Sequence, residues 1–194
     1  LIVAPVLVPM LFGAVLLMMR TRPASQGKIA IFGMAILVIC SFALLQRVLH
    51  EGPLVMTMGR WLPPFGISFA VDIAGALLVF TSSVVALIVS IYAKAAATTL
   101  EMRYGFYPFF MLMMSGVCGA FLTGDIFNLY VWFEVLWISS FGMVVLGSDK
   151  EQLDGTMKYA FLNLVATTMF LMATGYLYGV TGTLNMAQIW TLVD

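Results

Sequence analysis

The chain has 194 residues, of which 62% are hydrophobic and 9% charged, and nine Lys plus Arg balance nine Asp plus Glu. A soluble domain carries about 25% charged residues, so water is excluded as the solvent for most of this surface. The balanced charge excludes bulk attraction of the whole chain to nucleic acid or to an anionic surface.

A helix needs about twenty mostly apolar residues to cross roughly 30 Å of hydrocarbon. Runs of this kind predict six transmembrane helices, over residues 1–19, 29–48, 69–92, 106–123, 126–146 and 159–180. The runs are continuous rather than alternating, which favours helices over barrel strands. The first lacks a basic n-region and a small-residue cleavage site, so a span is expected there rather than a signal peptide. Between the second and third, Gly52-Pro53, Gly59-Arg60-Trp61 and Pro63-Pro64 are turn formers that predict a short hairpin packed over the bundle, with Trp61 at the interface. So few residues follow Thr123 that the fourth and fifth spans must form a tight helical hairpin. The expected fold class is all-α, a polytopic transmembrane helix bundle forming one domain over residues 1–194. Leu1 in place of Met, and an amphipathic stretch still running at Asp194, read as part of a longer chain.

Alternating spans put Arg20, Arg22, Lys28, Lys94, Arg103, Lys150 and Lys158 on one side, leaving Arg47 and Arg60 on the other. The positive-inside rule then assigns the first group to the cytoplasm of a bacterial or archaeal cell and the N-terminus to the outside.

Glu134 carries the sharpest chemical signal. At about 1.5 Å per residue it lies about 13 Å beyond Asp125, close to the midplane of the fifth span. An ionised carboxylate at that depth is costly unless paired, hydrated or protonated, and such residues mark ion or proton pathways. The competing reading is a neutral glutamic acid that hydrogen-bonds across helices. Asp125 and Asn128 open the same helix, where capping accounts for Asp125 as well as transport does. Nine residues turn a helix by about 900°, so Asp125 and Glu134 project from opposite faces. Asp72 begins the third span, with Ser83 and Ser90 on nearly the same face. That stripe suits either a water file or close helix approach. Lys158 is either a cation in a relay or a snorkelling side chain beside Asp154. Asn163, Thr167 and Thr174, with Tyr178, form one polar face on the sixth span, and with Tyr130 they complete the pathway candidates. His50 beside Glu51 reads as solvated.

Cys40 and Cys118 each lie within an apolar run and read as packing thiols. The sequence contains no phosphate loop, metal-ligand cluster or nucleophile with a base, so ion transport without a cofactor is expected rather than enzymatic chemistry. The expected partners are the lipid bilayer, protons and monovalent cations, with no nucleic acid.

The segment from Gly124 to Glu134, GDIFNLYVWFE, resembles the fifth-helix motif of the antiporter-like subunits shared by Mrp cation/proton antiporters, membrane-bound hydrogenases and respiratory complex I. Trp61-Leu62-Pro63-Pro64-Phe65-Gly66-Ile67 with Asp72 is similar to the loop entering the third helix of the Mrp branch. Met157-Lys158-Tyr159 with Leu162-Asn163-Leu164 is similar to the sixth helix, and the segment from Gly179 to Met186 to the stretch after that helix. The combination most resembles the D subunit. The resemblance implies the N-terminal part of a larger fold with inverted repeats and broken helices. It also implies Na⁺/H⁺ antiport by a hetero-oligomer of membrane subunits, with Glu134 as a proton acceptor governed by neighbouring positive charge; the alternatives are a proton-pumping membrane subunit of complex I or a hydrogenase, and a structural membrane scaffold. The seventh-helix lysine that the family pairs with this glutamate is not in this chain.

Overall fold

The computed structural model describes residues 1–61, 66–147 and 149–193, the side chains of Arg60 and Val193 excepted. The Pro63-Pro64 turn expected from the sequence lies outside the described residues.

Helices α1 (Ala4–Met18) and α2 (Pro23–Glu51) each carry proline in the first turn, where its missing N–H has no intrahelical partner to lose. Strands β1 (Leu54–Thr57) and β2 (Ser68–Val71) follow and pair antiparallel, Leu54 opposite Val71 and Thr57 opposite Ser68. Helix α3 (Ile73–Ala96) therefore starts later than residue 69, the position that hydropathy favours. Its N-cap is Asp72, whose Oδ1 accepts a hydrogen bond from the Gly75 N–H at 2.7 Å. One apolar run is thus divided between a strand and a helix by a single carboxylate.

Helix α4 (Thr99–Tyr104) is a short connector held by a capping box. The Thr98 N–H donates to Glu101 Oε2 at 2.7 Å and the Thr98 hydroxyl donates to the same oxygen at 2.8 Å. These two bonds, the backbone one first, hold the Glu101 carboxyl below its ordinary pKa. Gly105, at φ 110°, closes α4 and opens α5 (Phe106–Leu122).

Three residues turn the chain from α5 into α6 (Ile126–Val144). A capping box between Asp149 and Gln152 then starts α7 (Lys150–Thr181), which begins well before residue 159 because its charged first turns are helical rather than loop. Helix α8 (Met186–Val193) ends the described chain.

Helices α2, α3 and α7, and α6 with its last turn to Gly147, are long and apolar enough to cross a membrane. The 15-residue α1 and 17-residue α5 are shorter apolar helices, about 22 Å and 26 Å long. Together α1, α2, α3 and α5 enclose the core, where Leu16, Met34, Leu37, Leu44, Val79, Met111 and Leu122 are fully buried. Helix α6 docks on α5, and α7 docks on α6. A Cβ on Gly119 would overlap the Trp132 ring, so glycine is what lets α5 and α6 approach this closely.

The pattern on α7 is the reverse of a soluble helix. Its buried residues are Thr156, Asn163 and Thr174, while Phe161, Leu162, Met169, Met172 and Val180 are exposed. Polar groups turned to a helix neighbour and apolar groups turned outward suit a bilayer solvent.

Candidate functional site

Helix α6 is positioned at its start by a knot of buried polar groups. Asp125 Oδ1 accepts from the Asn128 N–H at 2.8 Å, and Asn128 Nδ2 donates to Thr123 Oγ1 at 2.8 Å. Asn185 Nδ2 donates to Ser68 Oγ at 2.7 Å, and backbone bonds join Gly124 to Ser68 and Met186 to Gly124. Residues distant in sequence therefore fix both the hairpin and the start of α8 to the α5–α6 turn. Asp125 is buried, and its capping bond gives it a structural task. Asp72 caps α3 beside this knot and is exposed. Both line or adjoin one cavity of about 380 Å³, whose walls include Ser68, Asp72, Thr123, Gly124 and Asn185.

Glu134 lies farther along α6, half-buried. With Trp137 and Phe141 it faces Ala160, Asn163, Leu164 and Thr167 of α7 across a second cavity of about 250 Å³. The spacing within each set is helical, three and four residues apart, so each comes from one face. Asn163 is buried, and its Nδ2 has no hydrogen-bond partner. An amide donor without an acceptor is costly at such a site, and this one lines the cavity that holds a carboxylate. The Thr167 hydroxyl instead turns back to Leu164 O at 3.3 Å, and that of Thr174 to Phe170 O at 2.9 Å.

Aromatic contacts close the seam on either side of Glu134. Tyr159 meets Trp137 and Phe141 at ring separations of 5.7 and 5.0 Å. Phe170 stacks on Tyr130 and meets Phe133 edge-on, both at 6.2 Å. The Tyr130 side chain also interacts with that of Glu134. The Glu134 carboxylate therefore lies between two aromatic layers, with a phenol and an unpaired amide donor beside it. The sequence singled out Glu134 and Tyr130 on one helix and Asn163 and Thr167 on one face of another, without bringing the two helices together. It did not single out Trp137, Phe141 and Tyr159, although Trp137 lies one helical turn from Glu134.

Other candidates stand apart from this seam. Lys158 is largely exposed and pairs with Asp154 on its own helix. Five residues turn a helix by about 500°, which places Lys158 about 140° around α7 from Asn163. Ser83 is buried with its Oγ 2.7 Å from that of Ser41, and the Ser90 hydroxyl donates to Leu87 O at 2.7 Å. The serines of α3 thus sit in the close helix approach. His50 is exposed, and its neighbour Glu51 pairs with Arg47 at 2.9 Å. Among the described residues, no group of three His, Cys, Asp or Glu side chains could hold a metal ion.

A family model described as NADH:quinone oxidoreductase/Mrp antiporter, TM, matches residues 123–194, which contain the whole α6–α7 seam. The chain is 36% identical over 189 residues to the D subunit of the Na(+)/H(+) antiporter of Alkalihalophilus pseudofirmus, covering 97% of this chain and 38% of that protein. It superposes on a chain of the archaeal membrane-bound sulfane sulfur reductase with a TM-score of 0.92 and 25% identity, covering 98% of this chain and 39% of that one. For a chain of the Mrp complex of Dietzia sp. DQ12-45-1b the TM-score is 0.87 at 29% identity, with 96% and 36% covered. The chain therefore spans about two-fifths of the length of the relatives it matches. With the GDIFNLYVWFE segment supplying the N-cap and the first half of α6, and Glu134 facing α7, this chain belongs to the antiporter-like membrane-subunit family common to Mrp antiporters and NADH:quinone oxidoreductase.

Proposed function

We propose that the chain forms part of a proton-translocating subunit of a multisubunit Na⁺/H⁺ antiporter, exchanging cytoplasmic Na⁺ or another monovalent cation for external H⁺. The observation that carries this reading is Glu134, held at mid-span in the α6–α7 cavity with the buried, unpaired amide of Asn163. In this role Glu134 accepts and releases the proton, while Tyr130 and Asn163 orient its carboxylate. Asp125 and Asp72 support the helices that lead to the site. Lys158 enters the path only if its pair with Asp154 opens. The name of the relative from Alkalihalophilus pseudofirmus supports the substrate pair, and the Dietzia complex supports other membrane subunits as partners. The excess of Lys and Arg at one end of the bundle supports an outward N-terminus in the plasma membrane.

The test is cation-dependent collapse of a pH gradient in inverted vesicles holding the full complex, with subunit abundance measured alongside. Glu134→Gln keeps the size and much of the hydrogen bonding but cannot exchange a proton. Loss of transport at wild-type abundance is the expected result, and wild-type transport by the assembled variant would remove Glu134 from the path.

A second reading is a membrane subunit of a redox-driven complex, supported by the TM-score of 0.92 to the archaeal sulfane sulfur reductase. Co-purification separates the two readings. Small membrane subunits favour the antiporter, and peripheral iron–sulfur or flavin subunits favour the redox complex.

A further inference from the structure

The α1–α2 turn and α4 enclose a cavity of about 480 Å³ at the end of the bundle opposite the hairpin, lined by Leu17, Arg20, Thr21, Arg103, Tyr104 and Gly105. Two arginines from segments far apart in sequence thus line one pocket. Among the described residues, no acidic side chain lines it, and neither arginine takes part in an ion pair.

The cavity does not end in water on all sides. Leu17, Tyr104 and Gly105 also line an apolar groove of about 280 Å³, which continues between α1 and α5 past Met10, Ala14, Phe109 and Leu112. From Gly105 to Leu112 the groove follows α5 for about 10 Å, down the apolar part of the bundle. Met10, Leu11, Leu17 and Met18 on α1 are exposed, as expected of a surface turned to hydrocarbon.

A charged pocket at the membrane boundary, continuous with an apolar groove, has the two-part chemistry of an amphiphile with an anionic head. Arginine forks bind phosphate oxygens in pairs, and basic pockets between transmembrane helices take lipid head groups. We infer that Arg20 and Arg103 form the head-group site of an anionic phospholipid whose acyl chain lies in the groove between α1 and α5. Tyr104 stands where pocket and groove join, the level at which interfacial aromatic side chains sit. The capping box of α4 holds Arg103 and Tyr104 in place. The bound lipid would tie the α1–α2 turn to α4, and so to the start of α5. This site is separate from the Glu134 seam and stands whether or not the transport reading holds.

The test uses the full-length protein in its complex, partly delipidated in neutral detergent, with phosphatidylglycerol bearing a photoreactive acyl chain. The expected result is saturable labelling of residues 10–17 and 105–112, competed by phosphatidylglycerol about tenfold better than by phosphatidylcholine and not by inorganic phosphate. Arg20→Gln with Arg103→Gln should weaken labelling about tenfold, and Ala14→Trp, which fills the groove, should block it while both arginines remain. Equal competition by phosphatidylcholine would overturn the inference. So would competition by phosphate alone, which identifies a free-anion site, or undiminished labelling of a folded Ala14→Trp protein, which identifies surface adsorption. If a variant does not fold, the competition series on the unaltered protein decides.

Discussion

Glu134 on α6 and Asn163 on α7 line the same cavity, and the Asn163 amide nitrogen has no hydrogen-bond partner although the residue is buried. Its donor is therefore free for a carboxylate or a water between the helices. Replacing Asn163 by Leu removes that donor at similar volume. The expected outcome is slower transport per assembled complex, with subunit abundance unchanged. Asn163→Gln, which restores an amide, should recover part of the rate. Wild-type transport by the assembled Leu variant would show that Asn163 only packs.

Asp125 should matter more to assembly than to proton exchange, since its Oδ1 caps α6 within the knot around Thr123 and Asn185. Asp125→Ala is expected to cost about 1 kcal/mol, with a larger loss if the knot opens. Asp125→Asn should keep most of the stability, because an amide oxygen also caps. Thermal denaturation in detergent reads the first effect, and transport per assembled complex reads the second. Loss of transport by a stable Asp125→Asn variant would contradict the assignment.

Gly119→Ala brings a methyl group into overlap with the Trp132 ring unless the helices shift. Overpacking of this kind costs roughly 1–3 kcal/mol. The α5–α6 pair should loosen, and because α7 docks on α6, so should the Glu134 seam. A lowered midpoint of unfolding together with reduced transport is expected. Gly179→Ala on α7, where an added methyl group meets nothing within 4 Å, serves as the control.

The orientation has its own test. In a background lacking Cys40 and Cys118, cysteines at Ser25 and Asp149 should be labelled from the cytoplasm, and one at Gly59 from outside. Ser25 and Asp149 belong to the end that gathers the α1–α2 turn and the start of α7, whereas Gly59 belongs to the hairpin end. Labelling of Gly59 and Asp149 from the same side would contradict the topology.

The sequence by itself determined that this is a helical membrane protein and which carboxylate lies at mid-span. Both depend on the cost of placing residues in hydrocarbon, a quantity that accumulates along the chain and needs no knowledge of neighbours. Glu134 is conspicuous because eight residues from Ile126 carry it deep into an apolar run. The GDIFNLYVWFE segment was legible differently, through its resemblance to the antiporter-like subunits. Hydropathy did not reveal that residues 68–71 pair with β1 instead of beginning α3, since an apolar strand and an apolar helix score alike. Only the tertiary structure decided that Asn163 and Thr167 meet Glu134, that aromatic layers close the seam, and that Lys158 turns toward Asp154. Helical periodicity fixes which residues of one helix share a face. Which face meets which neighbour is settled by packing between helices, where glycines such as Gly119 set how closely the backbones approach.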